Sequence, residues 1–274
     1  MQIWVFGRES DEAIFDELMF INEQKHLGLS LSFLPLPKLS DKVILAGMKE
    51  RANHNAIAIV KNMPTLLKAD GSGIVKSHLN WSSLTRRIVS AGRKSELILQ
   101  ACKPNAGMAV LDGTAGFGHD ALILASSGAT VTLIEKNPIM ALLLFYEHGM
   151  MSKNANWQKL LARTSIRHGD FLNPSFLALL PSVDLIYLDP MFPSESYSSK
   201  VNKNMQLLHE LAQKPSLDDE RNFLTMAKNK LNQGAKLVVK RPSMAPYLAN
   251  HSPNQSVSND AIRFDKYELN DWLD

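Results

Sequence analysis

Cysteine occurs once in the 274 residues, as Cys102, which excludes an internal disulfide and any paired-thiol metal or redox motif. A reducing compartment suits such a chain, and the cytoplasm is the expected location. Long apolar runs are missing as well. The start, MQIWVFGRESDE, meets charge too soon for the apolar segment of a signal peptide, and no later run approaches the ~20 residues of a membrane span. Internal repeats and low-complexity tracts are absent. The histidines His54, His78, His168 and His209 share no ligand spacing, so no metal site is expected.

Net charge is small, at +3, while 45% of residues are hydrophobic and 21% charged. A chain of this size buries roughly three quarters of its unfolded surface, enough for one large core or a core plus a smaller domain. The charge is unevenly spread. Between Lys61 and Lys103 eight basic residues (Lys61, Lys68, Lys76, Arg86, Arg87, Arg93, Lys94, Lys103) face two acidic ones, Asp70 and Glu96. Such a cluster suits a phosphate backbone, since each neutralised phosphate releases a counterion. A solvated face has the same composition.

Residues 1–94 read as a small accessory domain. They hold a strand at Gln2 to Phe6, a helix from Asp11 to about His26 and strand-like runs LSLSFLP, AIAIVKN and SGIVKSHL, with Pro35, Pro37, Pro64, Gly71 and Gly73 marking turns. Residues 95–274 alternate apolar strand and amphipathic helix, the pattern of a mostly parallel sheet covered by helices. The strands are MAVLD, TVTLIE, SIRHG, VDLIYLD and AKLVVKR. The helices fall at about 119–127, 138–148, 174–180 and 217–231. Asn137 with Pro138 predicts a helix start and Gly149 its end; Ser216 with Asp219 forms a capping box, and Gly234 closes that helix. SVSNDAIRFDKYEL predicts an antiparallel hairpin at the sheet edge.

The stretch VLDGTAGFGHD joins a buried strand to a helix, so its glycines let backbone amides approach a ligand. Gly116, Gly118 and Ala121 satisfy the dinucleotide fingerprint G-x-G-x-x-A. Three carboxylates at successive strand tips favour a different ligand. Asp112 would repel a pyrophosphate but accept from an ammonium, Glu135 suits two ribose hydroxyls, and Asp170 sits where adenine's amino group is commonly read. S-Adenosylmethionine, with an amino-acid end, a sulfonium, a ribose and an adenine, fits that series. For Asp170 a helix cap is an equal reading.

VDLIYLDPMFP then places Asp189 at a strand's carboxyl end, outside which ligands bind in open α/β sheets. An aromatic amine is a poor nucleophile because its lone pair is delocalised. Asp189 and the Pro190 carbonyl are candidates to accept its hydrogens, and Phe192 to stack on a base drawn out of its helix. The plain alternative is a proline-bounded turn with Phe192 in the core. In KLVVKRP, Lys240 and Arg241 end a further strand on the same rim and are candidates to hold phosphates, with Lys200 and Lys203 extending the idea.

LDGTAGFGHDALILAS, VTLIEKNP, VDLIYLDPMFP, VVKRP and IRFDKYE together resemble the ribosomal RNA small subunit methyltransferase J family. The resemblance spans about Arg86 to Tyr267 and includes TRRIVSAGR. It implies a class I, Rossmann-like, S-adenosylmethionine-dependent methyltransferase acting on a guanine N2 near the 3′ end of 16S rRNA, with 16S rRNA or the small ribosomal subunit as partner. By position it implies cofactor contacts at His119 and Asp120, Glu135 and Lys136, Gly169 and Asp170, and Asp189. This chain departs from the family in having His119 for the usual arginine, and Gly169 with Asp170 for the usual small polar pair. RNA contacts are expected at Arg86, Arg87, Arg93, Lys240 and Arg241. Two other readings stay open: methylation of another exocyclic amine such as adenine N6, and a noncatalytic RNA-binding assembly module. An NAD-dependent oxidoreductase would use the glycine pattern but leaves DPMFP unexplained.

Overall fold

The computed structural model describes residues 1–52, 55–70, 73–92, 94–191 and 214–268, which form two sheets. The first has the order β2-β1-β3-β4-β5, built from β1 (Gln2–Gly7), β2 (Ser30–Pro35), β3 (Asn55–Val60), β4 (Met63–Asp70) and β5 (Gly73–Ser77). β1 pairs parallel with β2 and β3. Parallel neighbours need a crossover, supplied here by α1 (Glu12–Gln24) and α2 (Asp41–Glu50). β3, β4 and β5 continue as an antiparallel meander.

The sequence pattern predicts most of these elements but not α2 or β4. α2 buries only Ile44, Gly47 and Met48, a stripe too narrow to stand out. β4 contains Pro64, which reads as a turn. Its pairing with β5 begins only at Leu66, so the amide proton that proline lacks is not needed on that side.

A 3-10 turn at Trp81–Leu84 and helices α3 (Thr85–Val89) and α4 (Leu97–Cys102) lead into the second sheet. Its order is β11-β12-β10-β9-β6-β7-β8. β6 (Ala109–Asp112), β7 (Thr130–Glu135), β8 (Thr164–His168), β9 (Val183–Leu188) and β10 (Leu231–Pro242) run parallel, whereas β12 (Ile262–Tyr267) lies antiparallel to β10 and β11 (Gln255–Ser258) antiparallel to β12. This is the expected α/β, doubly wound, Rossmann-like sheet with its edge hairpin. The connections cross over through α5 (His119–Ser126), α6 (Pro138–Ser152), α7 (Ala155–Leu161), α8 (Pro174–Ala178) and α9 (Leu217–Lys230). Chain order reverses between β6 and β9, and the crevice of such a sheet opens at that point.

Local chemistry sets the helix starts. The Asn137 side chain accepts from the amides of Ile139 and Met140, with Pro138 in the first turn, and Ser216 with Asp219 forms a complete capping box. Two expected ends are corrected. α6 continues through Gly149 to Ser152, because its buried face, including Leu142, Leu143, Tyr146 and Glu147, outweighs the weak helix propensity of one glycine. α9 ends at Lys230, and Gly234, at φ +76°, lies instead in an irregular start of β10 where the register with β9 shifts.

One apolar core runs through both sheets, joining Ile3, Val5 and Leu18 to Trp81, Leu122 and Leu142. α1 packs on α6, and Lys25 lies 5.2 Å from the Phe145 ring. A second cluster, with Leu111, Phe171, Ile186, Phe223 and Leu237, lies under α8 and α9. Among the described residues no helix is long and apolar enough to cross a membrane, and no cluster of His, Cys, Asp and Glu could hold a metal ion.

Candidate active site at the carboxyl ends of the parallel strands

The loop after β6 is held by backbone and side-chain bonds from β9, from β7 and from the segment before α3. Gly113 donates to the Tyr187 carbonyl (2.9 Å) and Ala115 to that of Ile134 (2.9 Å). Glu135, at the tip of β7, accepts from the Gly116 amide at Oε2 (2.9 Å) and from the Asn137 amide at Oε1 (2.8 Å). Trp81 reaches in from the segment before α3, its indole N–H donating to the Phe117 carbonyl (2.8 Å). Its own amide donates to Glu147 (2.8 Å). The loop turns at Gly116 (φ +52°) and Gly118 (φ +74°), the left-handed conformations that glycine adopts without strain. A Cβ on Gly113 would lie 2.5 Å from the Leu188 side chain and 2.7 Å from that of Phe171, so the close seating of loop on sheet requires glycine there too.

β9 delivers Asp189 beside this loop. The Asp189 amide donates to the Thr114 hydroxyl (2.6 Å). Its carboxylate accepts from Lys240 Nζ at 2.7 Å, and the same ammonium donates to Asp120 at 3.0 Å. Asp120, in the first turn of α5, also accepts from the Tyr187 hydroxyl at 2.5 Å. Burial works against charge on Asp120, yet Lys240 and the Tyr187 hydroxyl hold its carboxyl below the ordinary range. The two carboxylates hold the Lys240 ammonium well above its ordinary value against the same penalty.

Other groups here are displaced by burial. Asp112, only 1% exposed, is pushed well upward despite accepting from the Thr114 amide, and neighbouring carboxylates push the same way. Glu135 is raised to about 7 by burial, partly offset by its amide donors. Burial lowers His119, whose ring centroid lies 5.7 Å from that of Phe117.

A cavity of about 290 Å³ opens over the loop, with Gly116, Glu135, Lys136, Asp170, Asp189 and Pro190 among its lining residues. The sequence thus anticipates six positions that converge on one space. It does not single out Thr114, Met140, Phe171, Lys214 or Phe223, which also line it. Thr114 had a visible signal, as the one hydroxyl within the glycine loop. The others line the cavity only through the packing of α6, α8 and α9.

A family model described as "Putative SAM-dependent methyltransferase" matches residues 43–269. Ribosomal RNA small subunit methyltransferase J of Psychrobacter arcticus is 49% identical over 68% of this chain and 69% of its own. The protein of that name from Acinetobacter baumannii strain ACICU is 30% identical over 93% of each. The chain belongs to the ribosomal RNA small subunit methyltransferase J family. A crystal structure of a SAM-dependent methyltransferase from Neisseria gonorrhoeae aligns with a TM-score of 0.69 over 99% of this chain and 97% of that one, at 23% identity, and shows the same fold.

As a member of this family the chain is an S-adenosylmethionine-dependent methyltransferase, and the cavity suits that cofactor. Its lining carries four carboxylates, Glu135, Asp170, Asp189 and Asp219, against two lysines, Lys136 and Lys214, beside a glycine backbone, a set rich in acceptors for hydroxyl and amino hydrogens. Each Glu135 oxygen accepts one amide and has capacity to accept a further hydrogen.

The remaining expected positions are less uniform. Asp112, Gly118, His119, Asp120 and Gly169 do not line the cavity: Asp112 ends β6, Gly118 and Gly169 lie in the adjoining loops, and His119 and Asp120 open α5. Gly169 is required by packing, since a Cβ would meet the Phe176 ring at 2.3 Å. Asp170 accepts from the Leu172 amide (2.9 Å) within the turn before α8, whose cap is Asn173, so it is a turn residue lining the cavity and not a helix cap. Arg241 does not stand on the rim as expected: 2% exposed, it donates to Glu220 and to the Pro246 carbonyl, both at 2.7 Å. Successive residues of a strand face opposite sides, which turns Arg241 away from Lys240. Within the basic segment Lys76 pairs with Asp41, and Arg87 forks onto Glu96 at 2.8 Å through two nitrogens. Arg86 is exposed. Arg93, Phe192, Lys200 and Lys203 lie outside the described residues.

Proposed function

We propose that this protein transfers the methyl group of S-adenosylmethionine to guanine N2 of the 16S rRNA of the small ribosomal subunit, in the cytoplasm. The names of its relatives support the RNA substrate. The observation that carries the chemistry is that Asp189 and Pro190 line the same cavity as Glu135 and Asp170, so an amine acceptor and a ribose acceptor border one space.

The cofactor, when bound, supplies an activated methyl group on a sulfonium. The protein's part is to bind, orient and accept protons. Glu135 receives the ribose hydroxyls, and Lys136 and Asp170 form the adenine side, with Gly169 seating the strand end behind them. Asp112, His119 and Asp120 shape the floor and the start of α5. The Asp189 carboxylate and the Pro190 carbonyl receive the two hydrogens of the exocyclic amine, directing its lone pair toward the methyl group. Placement in line supplies most of the acceleration. Phe192 stacks on the extruded base. Arg86 and Arg93 meet the RNA backbone, while Arg87 is held by Glu96.

The test is transfer of a labelled methyl group from S-adenosylmethionine to small subunits lacking native modification, followed by nuclease digestion and mass spectrometry. N2-methylguanosine in 16S rRNA is the expected product. N6-methyladenosine would overturn the target atom. Absence of transfer to subunits and to naked rRNA would overturn the activity.

A further inference from the structure

The geometry assigns Lys240 to the catalytic carboxylate rather than to the RNA: we propose that it is a positioning residue that fixes the Asp189 carboxylate in place. The proposal rests on the methyl-transfer reading above. Lys240 projects from β10 between two acids, 2.7 Å from Asp189 Oδ2 and 3.0 Å from Asp120 Oδ2. Asp120 is fixed in turn by the Tyr187 hydroxyl at 2.5 Å. Side-chain exposures of 23% for Lys240, 28% for Asp189 and 19% for Asp120 place the pairs well out of bulk water. A phosphate would therefore have to displace two short, sheltered bonds to reach this ammonium, and would bring negative charge against both acids.

The surroundings explain why a cation is needed there. Asp112 lies behind the loop, and Asp120 on α5, Asp189 and Glu135 at the neighbouring strand tip all bear on it, so four acids crowd this corner of the site. Facing them are Lys240, Arg87, whose guanidinium is held by Glu96, and His119, which burial keeps from charging readily. Crowded carboxylates favour taking up a proton. A protonated Asp189 would accept the amine hydrogen more weakly and could not take up the proton released there. Lys240 offsets that tendency and fixes Oδ2, and through Asp120 it ties β10 to the helix that begins at the glycine loop. Tyr187, on β9 two residues before Asp189, makes the anchor part of the same strand.

Steady-state kinetics on undermethylated small subunits, with wild type, Lys240→Met and Lys240→Arg, test this. Lys240→Met is expected to lower kcat about 100-fold and to move the acid limb of the pH–kcat profile upward, with KM for the subunit nearly unchanged. Lys240→Arg is expected to recover activity to within about tenfold of wild type, because the charge returns with altered geometry. A raised KM with a shallower salt dependence and unchanged kcat in Lys240→Met would overturn the proposal in favour of phosphate contact. Thermal unfolding and calorimetric cofactor binding report whether Lys240→Met folds. If it does not, Lys240→Cys alkylated with 2-bromoethylamine replaces it. Cys102 is buried, so alkylation is directed to position 240. Recovery of kcat on alkylation supports the role, and a kcat equal before and after overturns it. Failure of the wild-type protein to methylate any subunit strikes the methyl-transfer reading itself. Normal wild-type turnover with unchanged kcat in Lys240→Met strikes only the role of Lys240.

Discussion

Among the described residues, the five-stranded sheet closes over an interior with few buried polar side chains: Asp11, Asn22, Thr65 and Ser77. Asp11 and Asn22 serve local backbone, Asp11 accepting the Arg8 amide and Asn22 bonding both the amide and the carbonyl of Leu29. The seven-stranded sheet instead buries Asp112, Glu135, Lys230, Arg241 and Asp265, and shelters Asp120, Asp189 and Lys240. Removing charge from water costs several kcal/mol per ion unless partners replace the lost hydration. The two sheets share one apolar core, so packing does not separate them. Charge is concentrated in the sheet that carries the cavity, where the proposed chemistry uses it.

Mutations can break or sharpen this contrast. The largest effect is expected from Asp189→Ala, which should reduce methyl transfer on the order of 10⁴-fold while circular dichroism and the unfolding midpoint stay close to wild type. Arg241→Ala leaves Glu220 on α9 with only the Ala249 amide, and the Pro246 carbonyl without its guanidinium donor, and chemical denaturation should show a loss of about 3 kcal/mol. Gly169→Ala drives a methyl into the Phe176 ring and should destabilise by about 1–3 kcal/mol, whereas Gly73→Ala in the first sheet, with open space around it, should stay within about 0.5 kcal/mol.

A pH prediction concerns Glu135. Its folded value of about 7 lies above the ordinary 4.5, so the native state binds this proton more tightly than the unfolded chain. The stability this group contributes is present below the ordinary value and is lost as pH rises through about 7. Cofactor affinity should move the other way, rising through the same window as the ionised carboxylate becomes available to the ribose. Calorimetry from acid to alkaline pH should show both slopes in wild type and their absence in Glu135→Gln. The smallest effect is expected at the exposed Lys76–Asp41 pair of the first sheet, where Lys76→Met should change stability by about 0–1 kcal/mol.

Much of the second sheet was legible because its signals are local. Apolar runs mark its parallel strands, Asn137 and Ser216 cap helices, and glycine, aspartate and proline sit at strand ends where the cavity opens. Gly149 and Gly234 misled because tertiary burial and a register shift, neither visible locally, set where α6 and α9 end. The roles of Lys240 and Arg241 were not legible for a related reason. Adjacent in sequence, they face opposite sides of β10 and meet acids 51 and 21 positions away. Trp81 left no signal at all, since its partners Phe117 and Glu147 come from the other sheet's loop and helix.

That tryptophan bears on how such proteins can be recombined. A loop that relied only on its own glycines would be portable, and the first ninety residues could be exchanged as a cassette for new substrates. Here the carbonyl of Phe117 is held by a side chain lying before α3, so a chimera joined after residue 81 inherits the loop without its clasp. The natural seam for exchange lies upstream of Trp81.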